Sequence, residues 1–466
     1  MTKKDKRRQT QTDDKTLTHI RGLAWTGQHA AAIDSATQAL ATLGRGDSRV
    51  APTVMSLLDL RAESYIALGK LDLAMKDAKG MKKLGATAVL KTQALNRLAL
   101  IQMRTGDLKG AVKTATAAVK TVRAERRSAP TTTVHAESLY RLAEAQFRAG
   151  QNEAAVETAQ KAIALYQELG DLSGTGRAHW ALSVAYFNSG NANDSRPAAF
   201  TALELCQQAG DQYGIGNAFN LLWFSDTDLV ESMQHAQQAL QAFETAGYVE
   251  RQSAVTGNLS NVYGELGLYP HACRLYGEAL DIQRRIGAKI GLSVSLSNLM
   301  TTELTLGLEE SAFSHLAEYT QVATALGDPV ANSTLASISA ELALAKGDPK
   351  SAVRHLKAAL KIDHEFGLGN EINNLAQLGL MHLANGDPVA ALKATKKAVD
   401  MYRSGVFTTQ PYVIWWRHTQ ALTANQKTKE ASQAIEQAYD LLLKRVANVR
   451  DEGYRRNFLN KVEDNR

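Results

Sequence analysis

The sequence predicts an all-α fold, a right-handed superhelical solenoid of about eleven helix hairpins, and three observations lead to this prediction. Alanine, leucine, glutamine and lysine are abundant, only 8 prolines occur among 466 residues, and no strand-type alternation of valine, isoleucine and threonine is found. Glycines recur at a spacing of about 40 residues, and a second glycine series lies about halfway between them. A helix therefore ends about every 20 residues.

The motif Gly-Asp-Pro sets the phase of the repeat, because it occurs in "LAKGDPKSAVRHL" and "LANGDPVAALKAT" with its glycines 39 residues apart. The turn positions in this phase are Gly27, Gly69, Gly106, Gly150, Gly190, Thr227, Gly267, Gly307, Gly347, Gly386 and Gln426. Five residues after each turn stands an alanine in nine of the eleven repeats and a serine in the other two. Twelve residues after the turn, alanine predominates again. These positions share one helix face, where only a small side chain lets the second helix pack closely on the first.

Three regions follow from this phase. Residues 1–13 are predicted to be a flexible basic tail, residues 14–445 the repeat solenoid, and residues 446–466 a C-terminal helical extension. The extension ends in "VRDEGYRRNFLNKVEDNR", which is charged but keeps the apolar pair Phe458 and Leu459. Because terminal repeats need a polar outer face, this segment either folds back over the last hairpin or leads to an output domain.

Several classes of protein are excluded or disfavoured. No apolar stretch approaches 18 residues and no signal-peptide core follows the N-terminus, so we predict a soluble cytoplasmic protein. Cys206 and Cys273 lie on apolar helix patterns and are interpreted as reduced core thiols. Metal-protease, nucleophile-elbow and phosphate-loop motifs are not found, so we expect no catalytic residues, no metal and no cofactor, and no enzymatic activity.

The order of small residue, aromatic, glycine turn and two alanines resembles tetratricopeptide repeats over roughly residues 14–445. The longer unit, with Gly-Asp between successive pairs, resembles the subgroup found in kinesin light chains, in polarity adaptors and in bacterial regulators of the maltose-activator type. The closing stretch resembles the segment that precedes cyclase, GAF-type or kinase-type output domains in bacterial signalling proteins. The resemblance implies that first helices line a concave groove, read at about 13, 10, 9, 6 and 3 positions before each turn.

The residues that stand at those positions in this sequence predict a peptide-binding groove around the fourth to eighth repeats. Asparagine is a poor residue inside helices, yet its amide can pair with the N–H and C=O groups of an extended peptide. The alternative is that these amides bond to neighbouring helices or to water. Members of the family that bind chaperone C-termini carry Lys or Arg at defined groove positions. Here those positions are Gly257, Thr334 and Ile338, which argues against capture of a chaperone C-terminus. The predicted peptide-binding residues are Tyr140, Arg141, Arg177, Trp180, Asn217, Asn258, Asn261 and Asn298.

Charge is segregated along the chain. Residues 76–127 carry 13 basic side chains, and Lys76, Lys79 and Lys83 share one face of a second helix. This face either is simply solvated or binds an acidic partner; nucleic acid is disfavoured because no aromatic residues are interleaved. The pairs Trp223-Phe224 and Trp415-Trp416 are either core residues or contact anchors.

The leading function is therefore a non-enzymatic module that binds a protein or an extended peptide in its concave groove. The alternative is the sensor region of a larger bacterial signalling protein, such as a cyclase, kinase or transcription regulator. A self-assembling scaffold is a third hypothesis.

Overall fold

The computed structural model describes residues 3–43, 50–225 and 228–465, with side chains from residue 14 onward. These ranges contain α-helices and one short 3-10 turn, and no strand among them. The helices are α1 (Lys3–Trp25), α2 (His29–Thr42), α3 (Ala51–Ala67), α4 (Leu71–Leu84), α5 (Ala88–Arg104), α6 (Leu108–Arg123), α7 (Ala129–Arg148), α8 (Asn152–Leu169), α9 (Leu172–Asn188), α10 (Ala192–Ala209), α11 (Gln212–Ser225), α12 (Leu229–Thr245), α13 (Val249–Glu265), α14 (Tyr269–Ile286), α15 (Lys289–Thr305), α16 (Glu309–Leu326), α17 (Pro329–Ala345), α18 (Pro349–Phe366), α19 (Glu371–Ala384), α20 (Pro388–Arg403), α21 (Pro411–Ala424), α22 (Thr428–Ala447) and α23 (Glu452–Lys461).

The predicted phase is confirmed in the described residues, because ten of the eleven predicted turn positions lie between consecutive helices of the series α1 to α22. The turn glycines of both series have positive φ, which suits a residue without a Cβ atom at the end of a helix. Thr227 lies outside the described residues. Gln426, the turn residue of the last hairpin, has φ 58 and is the one non-glycine residue with positive φ in the described ranges.

The small residue five positions after each turn is buried in every hairpin. Ala32, Ala74, Ala111 and Ala155 are fully buried, and Ser195 and Ser232 take the same place in α10 and α12 at 1% and 5% exposure. This position faces the first helix of its own hairpin, where a longer side chain would separate the two helices. The all-α hairpin solenoid predicted from the sequence is confirmed.

The ends of the chain add detail to the predicted regions. Helix α1 begins at Lys3, inside the segment predicted to be a flexible tail, and α22 continues to Ala447. The side chains of residues 1–13 lie outside the described residues. The three region boundaries therefore stay predictions.

The structure divides into two compact units. Unit 1 comprises Met1–Asp226 and Gln234–Val255, and unit 2 comprises Thr227–Met233 and Thr256–Arg466. Each unit has its own buried clusters: in unit 1 the largest surrounds Tyr140, Trp180 and Phe243, and in unit 2 separate clusters surround Tyr319 and Trp415.

The C-terminal extension folds back within unit 2. The backbone N–H of Leu229 donates to the carbonyl of Asn448 at 3.2 Å, and Arg450 pairs with Glu231 at 2.8 Å and with the buried Asp228 at 3.5 Å. Phe458, predicted to be an apolar part of this segment, is 2% exposed. The extension therefore packs against the start of α12, and not only against the last hairpin.

Replacing Gln426 by glycine should stabilise the protein. A left-handed conformation costs a residue with a Cβ atom about 1 kcal/mol, so Gln426→Gly is expected to raise the free energy of unfolding by about that amount. The same change at Gln437, an exposed residue in the middle of α22, should lower it by about 1 kcal/mol. Urea denaturation of both variants checks this prediction, and a loss of stability in Gln426→Gly would contradict it.

Candidate functional site

The first helices of the early hairpins enclose a cavity in unit 1. Its volume is about 560 Å³, within the range typical of ligand sites. The polar side chains lining it come from α1, α3, α5, α7, α9 and α11, and from the turns that precede α11 and α13. They are Arg21, Asp59, Glu63, Arg97, Glu137, Arg141, Ser173, Arg177, Asp211, Gln212, Tyr213 and Tyr248.

Acidic and basic groups pair around the cavity wall. Arg97 lies 2.7 Å from Asp59 and 3.4 Å from Glu63. Arg177 binds Asp211 through two hydrogen bonds of 2.6 and 2.8 Å. Such fork geometry fixes both groups, and the burial of Asp211 at 1% exposure strengthens their attraction.

Two carboxyl groups of the wall respond differently to their surroundings. Burial would raise the pKa of Glu63, but Arg97 and Arg177 hold it below its ordinary value. Burial raises the pKa of Glu137, since Arg141, at 3.8 Å, offsets only part of that effect. Glu137 is therefore the less well compensated carboxylate of the cavity.

A close backbone contact brings Tyr248 into the cavity. A Cβ atom on Gly247 would lie 2.4 Å from the carbonyl oxygen of Gly27, so this approach requires glycine. His29 Nε2 donates to the carbonyl of Ala246 at 2.9 Å. The turn of the first hairpin is thereby joined to the α12–α13 turn, and Tyr248 is held with its hydroxyl 3.4 Å from the Glu63 carboxylate.

A second charged cluster lies beside the cavity. Glu144 is fully buried and pairs with Arg141 at 3.3 Å and Arg148 at 3.0 Å. Burial would raise the pKa of Glu144, but its arginine neighbours lower it to about 2. Arg104 donates to the Tyr213 hydroxyl at 2.8 Å. Tyr213 thus connects this cluster to the cavity wall.

Of the predicted site residues in unit 1, two line the cavity. They are Arg141 and Arg177. Tyr140 and Trp180 are 2% and 6% exposed and belong to the core, and Trp180 packs edge-on against Phe147 with ring centroids 5.6 Å apart. Asn217 is 3% exposed and donates to the carbonyl of Tyr213 in its own helix at 3.0 Å. The expectation that these three side chains face an open groove does not fit their burial, and ligand contact by any of them stays a prediction.

The predicted asparagines of unit 2 interact with neighbouring side chains. Asn298 Nδ2 donates to Asn261 Oδ1 at 2.9 Å, and the Tyr276 hydroxyl donates to the same oxygen. Asn258 also has an interaction partner. The alternative considered from the sequence, amides that join adjacent helices, describes the Asn261–Asn298 bond.

Other predicted features have the following positions. Phe224 is 49% exposed, whereas Trp415 is 6% exposed and lies in a core cluster. Lys76, Lys79 and Lys83 are exposed on α4, a second helix, as the pattern predicts. Binding of an acidic partner there stays a prediction.

Sequence reasoning missed most of the cavity wall. Asp59, Glu63 and Arg97 stand 10, 6 and 9 residues before their turns, so the groove register could have found them in the second and third hairpins. Asp211 and Tyr248 lie between a second helix and the next first helix, which the register does not sample.

Cys206 is a buried core residue of unit 1, as its apolar helix pattern predicts. Burial raises the pKa of Cys206 to about 12, which keeps it a thiol. In the described ranges, no group of three or more His, Cys, Asp or Glu side chains could hold a metal ion. Within the same residues, every helix is too short or too polar to cross a membrane.

The tetratricopeptide repeat family model matches residues 136–169, most of the α7–α8 hairpin. This hairpin matches the tetratricopeptide repeat, and the other hairpins have the same helix–turn–helix form. No curated protein matches the chain. Among solved structures, a Rap protein complexed with Competence and Sporulation Factor superposes with a TM-score of 0.51 at 13% identity, covering 84% of this chain and 99% of that one.

Two further solved structures share the fold. The apo form of the quorum sensor NprR from B. thuringiensis has a TM-score of 0.52 at 13% identity, covering 74% of this chain and 97% of NprR. A signal transduction ATPase with a tetratricopeptide repeat sensor, from Pyrococcus horikoshii, has a TM-score of 0.50 at 14% identity, covering 72% of this chain and 53% of that protein. At such identities the likeness is one of fold.

Tyr213 should ionise at unusually low pH. Burial would raise its pKa, but Arg104 and Arg251 lower it to about 8. Titration of absorbance near 295 nm is expected to show one of the 14 tyrosines ionising near that pH, and Tyr213→Phe should remove this phase. Retention of the phase in Tyr213→Phe would contradict the assignment.

Proposed function

We propose that the chain is a non-enzymatic binding protein that takes up a short peptide in the cavity of unit 1. One observation carries this proposal: an open cavity of about 560 Å³ has a wall of alternating arginine and carboxylate side chains. A wall of this kind suits a ligand that offers both charge signs and many hydrogen-bonding groups. A short peptide with free termini has both.

The paired charges argue for recognition by exchange of partners. Arg97, Arg141 and Arg177 are each already paired with a carboxylate, so a ligand gains little from charge alone at these three side chains. A peptide carboxylate that binds Arg141 weakens the ion pair between Arg141 and Glu137. A peptide amine can then form an ion pair with Glu137. The geometry thus favours ligands with both groups over simple anions or cations.

The comparisons are consistent with such binding. One solved protein of this fold is complexed with Competence and Sporulation Factor, and another is named a quorum sensor. We extend to this chain only the general role, capture of a small signalling ligand on the inner helices. We also propose a cytoplasmic location, and ligand contacts by Asn258, Asn261 and Asn298 of unit 2 are a separate proposal.

Glu137→Gln tests the cavity directly. Affinity selection from a synthetic library of random pentapeptides with free termini, read by mass spectrometry, should yield ligands of the natural protein. Loss of one charge-assisted contact of about 1.5 kcal/mol should weaken the best ligand about tenfold in Glu137→Gln. The matched control is Glu153→Gln, an exposed change on α8 of the same hairpin. Equal affinity in Glu137→Gln and the natural protein, or failure of any pentapeptide to bind, would refute the proposal.

A sensor role in a larger signalling protein is a second candidate. It is favoured by the fold shared with the repeat sensor of the P. horikoshii signal transduction ATPase, of which the chain covers 53%. The mass of the natural polypeptide in its source cells distinguishes the two candidates. A mass near 50.5 kDa favours a free-standing binder, and a much larger mass favours a sensor joined to an output domain.

A further inference from the structure

Unit 2 contains a carboxylate without a cationic partner. Glu341 lies on α17, half-buried, and accepts hydrogen bonds from Thr301 Oγ1 at 3.3 Å and Gln377 Nε2 at 3.2 Å. Both donors are neutral. Among the residues that the structure describes, no Lys, Arg or His side chain forms an ion pair with it.

This arrangement contrasts with that of two other half-buried carboxylates of the unit. Glu371 pairs with Lys397 at 2.7 Å, and Glu265 pairs with Arg445 at 2.6 Å. Burial raises the pKa of Glu341, whereas its two hydrogen bonds lower it only in part. Because Glu341 forms no ion pair within the described part of the protein, a positively charged group of a ligand can pair with it.

The faces of α15 and α17 beside Glu341 define what would surround a cation bound to it. Val330 stands eleven residues before Glu341, and Ile290 stands eleven residues before Thr301, so each pair shares a helix face three turns apart. Val330, Ile290 and Val294 are 47%, 67% and 53% exposed. Two adjacent first helices, α15 and α17, therefore present aliphatic side chains at one end and the Thr301–Glu341 bond at the other.

We propose that this face of unit 2 is a second binding site, which takes an extended peptide segment with a lysine or arginine side chain at Glu341 and an aliphatic side chain near Val330. Eleven residues of helix rise about 16 Å, a distance that an extended peptide covers with about five residues. The site is separate from the cavity of unit 1 and does not depend on the function proposed there. Charge complementarity with the unpaired carboxylate selects a basic segment over an acidic one.

The amides and hydroxyl groups between these ends suit a peptide backbone. Ser337 lies on α17 between Val330 and Glu341 and donates to Asn374 at 3.0 Å, and Gln377 reaches Glu341 from α19. These groups retain further hydrogen-bonding capacity for the N–H and C=O groups of an extended ligand.

Capped peptides test this site apart from the first one. A library of random heptapeptides, acetylated at the N-terminus and amidated at the C-terminus, has no terminal charges for the cavity of unit 1 to bind. Affinity selection with the natural protein is expected to enrich peptides with Lys or Arg about five residues from an aliphatic residue. For the best such peptide, replacing its basic residue by norleucine should weaken binding about tenfold.

Glu341→Gln should remove that difference. The variant is expected to bind the basic and the norleucine peptides equally, whereas Glu310→Gln, an exposed change on α16, should leave the tenfold difference intact. Glu137→Gln should also leave it intact, which separates failure here from failure of the cavity in unit 1. Circular dichroism establishes that the variants are folded.

A measurement on the natural protein keeps the test decisive if Glu341→Gln does not fold. The preference for the basic peptide should fall as the salt concentration rises from about 0.05 M to about 0.5 M, because screening weakens the ion pair. No enrichment of basic peptides, a preference that is independent of salt, or a preference retained in folded Glu341→Gln would each overturn the proposal.

Discussion

The structure depends on close contact between the two helices of each hairpin, which the small residue five positions after each turn permits. Because Ala74, Ala111 and Ala155 are fully buried, α4, α6 and α8 press directly on their first helices. The first helices then become neighbours of one another on the opposite side. Side chains from successive repeats thereby meet at hydrogen-bonding distance although they lie 34 to 38 residues apart, as Arg97 does with Asp59 and Arg177 with Asp211.

The free-energy cost of burying charged groups decides which ligands the surfaces formed by the first helices can bind. In unit 1 the cavity-wall carboxylates Asp59, Glu63, Glu137 and Asp211 are each paired with an arginine, so the wall is held rigidly and recognises a ligand by exchange of ion-pair partners. In unit 2, neutral groups bond to one another across neighbouring first helices: Asn298 donates to Asn261, and Ser337 donates to Asn374. Glu341 on α17 likewise has two hydrogen-bond donors that carry no charge. The two units thus offer chemically different surfaces on the same type of helix hairpin.

The sequence predicted the phase of the repeats almost completely, because glycine at the turns and alanine at the helix contact are local requirements that each repeat must satisfy. Arg141 and Arg177 were found for the same reason, since a position counted from the turn identifies the helix face. How deeply a side chain on that face is buried could not be predicted in this way. Trp180 has the correct face but is covered by Phe147, and the counting method could not show which neighbour would cover it. Tyr248 was missed because it reaches the cavity through contact of Gly247 with Gly27, which are 220 residues apart in sequence.

Hydrogen–deuterium exchange with a selected pentapeptide most directly tests the central claim that the inner helices of unit 1 bind the ligand. We expect slower exchange in α5, α7 and α9 when the peptide is bound, with α4, α6 and α8 little changed, because the second helices do not line the cavity. Protection confined to α4 and α6, which carry the exposed lysines, would contradict it and would place the ligand on the outer face.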